Sequence, residues 1–120
     1  MTSQKQIFGQ WGEEQAAQYL ISQDYEIVDR NVRNEFGELD LIAKKDEQLV
    51  FVEVKARRSE DFGFPEEAVT ESKKQHILDA AQSYLNEHPQ MLGDWRIDVI
   101  SVQSLKGKLP EIIHFENAFV

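Results

Sequence analysis

The stretch Gln48–Ala56, QLVFVEVKA, constrains this chain more than any other. Read as a strand, it puts Leu49, Phe51, Glu53 and Lys55 on one face and Val50, Val52 and Val54 on the other. It is apolar on both faces for most of its length, the pattern of a central strand covered from both sides. A chain built around such a strand needs a layer above its sheet and another below. Glu53 and Lys55 break the apolar face at one end, and that break is the first sign of chemistry.

A second apolar run, Glu38–Lys44, lies just before it, joined through Lys45-Asp46-Glu47-Gln48. Leu39, Leu41 and Ala43 point one way along it, and Glu38, Asp40 and Ile42 the other. The short connection predicts a hairpin. If Asp46-Glu47 is its loop, Lys45 pairs with Gln48 and Asp40 falls opposite Glu53, with Cβ atoms about 4.5–5.5 Å apart. Lys55 lies roughly 7 Å further along the same face. Asp-Glu is a poor two-residue turn signal, and a slip of a single residue would send the two acids to opposite faces.

The remaining segments read as support. Gln4–Ser22 is a helix with Ile7, Phe8, Trp11, Ala16, Tyr19 and Leu20 at helical spacing. Gly9 and Gly12 permit it to approach a sheet closely. Tyr25–Arg33 reads as a strand of imperfect alternation, and Asn34–Gly37 as a turn. Arg57–Pro65 is a polar loop with Phe62-Gly63-Phe64 at its centre. Thr70 caps a helix that runs to Glu87 and is ended by His88-Pro89. Its stripe is Ile77, Ala80, Ala81, Tyr84 and Leu85. Lys73 and Lys74 sit near its N-terminus, a poor place for cations unless they face an anion. Trp95–Val102 is a further strand and Glu111–Phe115 a short edge strand. The order is α-β-β-β-α-β-β, an α/β fold with a mixed sheet in a single domain spanning 1–120. Trp11 and Trp95 are expected in the core, and Asp98 either pairs with Arg96 or sits near the site. His76, His88 and His114 have no ligand spacing.

Composition narrows the functional classes. There are no cysteines, so disulfides, thiol catalysis and cysteine-ligated zinc are excluded. No segment approaches the ~18 apolar residues of a membrane span, and the start lacks the character of a targeting signal; a cytoplasmic location is expected. The net charge of −9 has the wrong sign for a nucleic-acid binder. Residues 30–58, however, carry seven basic groups against six acids.

Two facing carboxylates repel unless a proton or a cation bridges them. Magnesium suits the arrangement, because it takes oxygen ligands, keeps several waters and is commonly held by one or two carboxylates plus a substrate phosphate. Asp40 and Glu53 are the candidate metal ligands, with the Val54 carbonyl as a further oxygen and Mn2+ as the natural substitute for Mg2+. Lys55 would orient a water or stabilise developing negative charge. Arg57 and Arg58 are candidate phosphate contacts. A D…ExK pattern on its own is short enough to be a surface charge network; its place between two apolar hairpin strands argues for more.

With this order of elements, Asp40 and Glu53-Val54-Lys55 resemble the PD-(D/E)XK, or restriction-endonuclease-like, superfamily with its α-β-β-β-α-β core. The extra C-terminal edge strand lies outside that core. More closely, the chain resembles the YraN family of small bacterial nuclease-like proteins. The matching pieces include Gly12-Glu13, Asn31 and Arg33, Gly37-Glu38-Leu39-Asp40-Leu41-Ile42-Ala43, Val50-Phe51-Val52-Glu53-Val54-Lys55 with Arg57, Phe62-Gly63, Lys73, Tyr84-Leu85 and Arg96-Ile97-Asp98-Val99. The fold is related to that of archaeal Holliday-junction resolvases. The resemblance implies catalytic Glu13, Asp40, Glu53 and Lys55, with Arg33, Arg57, Arg58 and Lys73 as nucleic-acid contacts. It implies magnesium-dependent hydrolysis of DNA phosphodiesters, DNA rather than RNA, with branched or otherwise structured DNA among the candidate substrates. A homodimer would suit the cutting of paired strands. The acidity of the chain supports an alternative, a noncatalytic module binding nucleic acid or a protein partner on a nuclease fold.

Overall fold

Gln48–Arg58 forms β3, and it is the middle strand of a five-stranded sheet. On one side it pairs antiparallel with β2 (Gly37–Lys45), and β2 pairs with β1 (Glu26–Asn34). On the other side it pairs in parallel with β4 (Trp95–Ser104), and β5 (Glu111–Phe115) closes that edge antiparallel. The computed structural model describes residues 2–58, 70–91 and 93–119. The expected Phe62-Gly63-Phe64 loop lies outside the described residues.

Two helices cover the two faces. α1 (Gln4–Ser22) lays Ala16, Ala17 and Leu20 on Leu41, Ala43, Val50, Val52, Val54, Ile100 and Val102. α2 (Glu71–Glu87) lays Ile77, Ala80, Ala81, Tyr84 and Leu85 on Leu39, Ile42, Leu49, Phe51, Ile97 and Val99. The dual apolarity of β3 is thus used in full, with Val50 and Phe51, on opposite faces, both completely buried. Ser3 starts α1 with a capping box to Gln6, and Thr70 caps α2 by accepting from the Lys73 N–H at 3.2 Å.

The hairpin has the expected register near its turn, with Lys45 on Gln48, Ala43 on Val50 and Leu41 on Val52, but the expected Asp40–Glu53 pair is not part of the ladder. Its loop forces Asp46 and Glu47 to positive φ, 50° and 65°, the conformation that Asn-Gly adopts more easily. Packing on both faces overrides the unfavourable turn chemistry, because a slip would exchange the side chains between the differently shaped α1 and α2 faces.

Two expectations shift and a third gains its cause. Arg57 and Arg58 belong to β3 rather than to a loop, because β4 is long enough to pair with them through Gln103 and Ser104. The irregular alternation of the first strand comes from a bulge between Ile27 and Asp29; Val28 packs toward α2, and Ile27 and Tyr25 toward α1. Trp11 and Trp95 are half-buried at the core margins rather than inside it.

Asp98 is fully buried on β4 and does pair with Arg96, at 2.9 Å. His114 of β5 meets the Asp98 Oδ2 at 2.7 Å, and the Asn117 N–H donates to Oδ1, the oxygen that Arg96 Nε bonds, at 2.9 Å. Tyr19 of α1 reaches His114 at 3.1 Å, and Arg96 donates to Gln48 and to the Tyr25 hydroxyl at 2.6 and 2.7 Å. Burial alone would raise the Asp98 carboxyl; the bonds from His114, Arg96 and Asn117 outweigh it and hold the carboxyl below its usual range.

The two α1 glycines differ. A Cβ on Gly12 would stand 2.6 Å from the Ala56 Cβ of β3, whereas one on Gly9 would meet nothing. Gly12→Ala is therefore expected to destabilise the fold by about 1–3 kcal/mol through overpacking. Gly9→Ala should stabilise it by about 0.5–1 kcal/mol through helix propensity. Urea unfolding of both variants checks the opposite signs.

Candidate active site

The pairing of β2 with β3 runs out after Leu41 and Val52. At the next position the Asp40 carboxylate accepts the Val54 N–H at 2.9 Å, taking the place of a ladder bond. β2 keeps its partner on the other side, with Leu39 on Val32 and Glu38 on Arg33. It follows β1 away from β3, and Leu39 packs with Ile42 and Phe51 rather than with Leu41 as strict alternation predicts. The notch between the parted strands is where the polar groups collect.

Glu53 enters the notch from β3, and its carboxyl and that of Asp40 are within hydrogen-bonding reach of each other. Burial, first, and the neighbouring Glu53 charge push the Asp40 carboxyl up to about 8, against the single lowering influence of the Val54 N–H. Glu13 arrives from α1, seated there by the contact of Gly12 with Ala56. Partial burial and the charges of Glu38 and Glu53 raise its carboxyl as well. The Lys55 ammonium pairs with Glu53 at 3.1 Å. Burial pulls that ammonium down, but Glu53 and Asp40 more than offset it and leave it above its usual range. Lys73, from the first turn of α2, comes within hydrogen-bonding reach of Lys55, and this like charge lowers it. Two ammonium groups held together beside a carboxylate cluster form a natural seat for an anionic oxygen.

The predicted Glu13, Asp40, Glu53, Lys55 and Lys73 are therefore brought together from four elements. Arg33 is not among them; it stands on the rim, largely exposed, paired with Glu38 at 3.0 Å. Arg57 and Arg58 continue β3 beyond Lys55. Asn31 was no candidate, yet with its amide turned to satisfy both carboxylates it donates to Glu13 at 2.9 Å and to Glu38 at 3.1 Å. Its φ of 50° within a strand makes the reach possible. Glu38, two residues from Asp40, could have been found by strand periodicity alone. Glu14, the neighbour of Glu13, points elsewhere and pairs with Arg30 at 2.7 Å.

The donor set suits a hard dication. Among the described residues no three or more His, Asp or Glu side chains form a ready-made metal cage. A pair of carboxyls close enough to share a proton is what magnesium needs when water and phosphate complete its shell. Asp40 and Glu53 would hold it.

The α-β-β-β-α-β order, with Asp40, Glu53 and Lys55 at the parting of two strands, defines a nuclease-fold α/β protein. The chain belongs to the Uncharacterised protein family UPF0102, whose model matches residues 12–102. This is the family resembled above under the name YraN. A UPF0102 protein of Syntrophomonas wolfei is 49% identical over 92% of this chain and 96% of its own length. One from Syntrophotalea carbinolica is 46% identical over 99% and 96%, and one from Rhodococcus opacus 44% identical over 92% and 94%. Among solved structures, Pyrococcus furiosus SfsA in complex with Ca2+ aligns with 87% of this chain and 62% of its own, at 12% identity and a TM-score of 0.36. So distant a likeness has no bearing on the chemistry of this chain. Among the described residues no helix is long and apolar enough to cross a membrane.

Asp40 carries a stability consequence. Its carboxyl titrates near 3.8 when unfolded and is pushed up to about 8 when folded. Between those values the folded state holds a proton that the unfolded chain releases, so stability falls as pH rises through the window and levels off above it. Asp40→Asn keeps an oxygen for the Val54 N–H and removes the titration. Without divalent ions it should melt roughly 5 °C above the parent at the top of the window, with the gap closing toward its acidic end. Thermal melts across that pH range would show it, and a constant gap would count against the raised carboxyl.

Proposed function

We propose that this chain is a divalent-cation-dependent endonuclease acting on DNA phosphodiester bonds, branched or otherwise structured DNA being the favoured substrate. The convergence of Glu13, Asp40, Glu53 and Lys55 on the notch between β2 and β3 carries the reading. A bound Mg2+ or Mn2+ would supply neutralisation of phosphoryl charge and water activation. Asp40 and Glu53 anchor the cation. Lys55, held beside Glu53, donates to an oxygen on which charge develops, and Lys73 adds a second ammonium at the same spot. Glu13, on the far side of the notch, accepts a proton from a water oriented toward the phosphorus. Arg33, Arg57 and Arg58 guide the strand along the rim as phosphate contacts.

One observation favours a second reading. The chain carries a net −9, so nonspecific affinity for a polyanion is weak. A noncatalytic module on the same fold, binding a protein partner or reaching nucleic acid through one, accounts for that charge without requiring turnover.

The two readings part in one experiment. Single-stranded, duplex, flap and four-way DNA are incubated with wild type, Asp40→Ala, Glu53→Ala and Lys55→Ala in Mg2+ or Mn2+. The nuclease reading expects cleavage that EDTA abolishes, that both carboxylate variants lose, and that Lys55→Ala reduces on the order of 10²-fold. Equal cleavage by wild type and the carboxylate variants would sink it. Calorimetry showing no Mn2+ binding by wild type would favour the noncatalytic module.

A further inference from the structure

Asn31 belongs to β1, yet the β1–β2 ladder passes it over. Arg30 pairs with Leu41 and Val32 with Leu39, so Asn31 stands at the level of Asp40. Its φ of 50° is left-handed in the middle of a strand. With the amide oriented as both neighbouring carboxylates require, Nδ2 donates to Glu13 Oε1 at 2.9 Å and to Glu38 Oε1 at 3.1 Å. Arg33 holds the other oxygen of Glu38 at 3.0 Å. A chain of contacts thus runs from Arg33 on the rim, through Glu38 and Asn31, to Glu13 in the notch.

We infer that Asn31 is a positioning residue for the cleavage reaction: it fixes where the Glu13 carboxylate stands and acts only through it. The inference rests on the nuclease reading for the reaction and on the side-chain geometry alone for the hold on Glu13.

Asn31 is exposed, so core packing gives no reason for its unusual backbone. Left-handed residues within regular structure persist where surrounding contacts impose them, and they gather at functional sites. Asn also adopts this conformation more readily than most residues. A purely conformational role is therefore the rival account, and glycine would fill that role at least as well.

Chemistry favours the amide. One nitrogen carries two hydrogens, so a single Asn can bridge two carboxylates. It does so without charge. A lysine or arginine in its place would pair with Glu13, favour the ionised carboxylate and weaken it as a proton acceptor. An aspartate would offer no donor and would repel both acids. Anchoring is the second argument. Glu13 rides on α1, whereas Asn31 and Glu38 lie on paired strands, and the amide ties the helix side chain to the sheet. Proton transfer from a water needs an acceptor within about 3 Å, and a misplacement of about 1 Å costs on the order of 10²-fold in rate.

The experiment compares the full chain as wild type, Asn31→Gly, Asn31→Asp, Glu13→Gln, Glu38→Gln and the double variant of Asn31→Gly with Glu13→Gln. Melting curves establish that each is folded. The first readout needs neither metal nor DNA. In nitrogen–proton correlation spectra we expect Glu13→Gln to shift one side-chain amide proton of Asn31 and Glu38→Gln the other, because a neutral acceptor bonds more weakly than a carboxylate. The second readout is single-turnover cleavage, in Mg2+, of whichever DNA in the panel wild type cuts fastest. Asn31→Gly should slow cleavage on the order of 10²-fold while leaving DNA affinity nearly unchanged. Asn31→Asp should slow it at least as much. Added to Glu13→Gln, Asn31→Gly should cost little more, since residues that act through one group are not additive. Three results overturn the inference: an amide that ignores both Gln variants, a wild-type rate in Asn31→Gly, or losses that multiply in the double variant. A responsive amide in a chain that cuts none of the DNA would sink the nuclease reading and leave Asn31 holding Glu13. Cleavage by wild type with an unresponsive amide would do the reverse.

Discussion

The hydrogen bond from the Val54 N–H to the Asp40 carboxylate is the hinge of this structure. A sheet normally closes every backbone donor between neighbouring strands. Here one donor of the central strand is satisfied by a side chain, and β2 is free to follow β1 outward. The notch exists because that substitution holds the strands together at Leu41 and Val52 and lets them separate immediately beyond. A single carboxylate thus ends the ladder and opens the polar pocket in which it sits.

Opposite faces of the sheet feed one pocket as a result. α1 packs on the Val50 and Val52 side and contributes Glu13; α2 packs on the Phe51 side and contributes Lys73. In an unbroken sheet those side chains would be screened from one another by the strands. Burial first, and then the mutual repulsion of the notch acids, raise Asp40 and Glu13, and an ammonium is set against Glu53. Asn31 adds neutral donors to Glu13 and Glu38. The pocket stores repulsion that a dication would relieve.

Much of this was legible in the residues, and the exceptions have physical causes. The hairpin register followed from taking Asp46-Glu47 as a two-residue loop, and the ladder keeps that register from Lys45–Gln48 to Leu41–Val52 although Asp-Glu is a poor turn. The location of Lys55 beside Glu53 followed from strand periodicity. Glu13 did not: its position depends on how α1 crosses the sheet, which the Gly12–Ala56 contact sets, and the family resemblance supplied what periodicity could not. Asn31 was hidden because its reach depends on a left-handed backbone within a strand. Arg57 and Arg58 read as loop because polar residues at the end of a strand look alike whether or not a long neighbour pairs with them.

The buried Asp98 has a bearing on how the chain is assembled. Its partners are dispersed: Tyr19 through His114, Tyr25 and Gln48 through Arg96, and the Asn117 backbone directly. During synthesis, β4 leaves the ribosome before His114 and Asn117 do. Until those residues arrive, its central carboxylate lacks two of its donors and resists leaving water. Once they are in place, Tyr19 of α1 meets His114 of β5, and His114 meets Asp98, so the first helix and the last strand are tied together across one buried carboxylate.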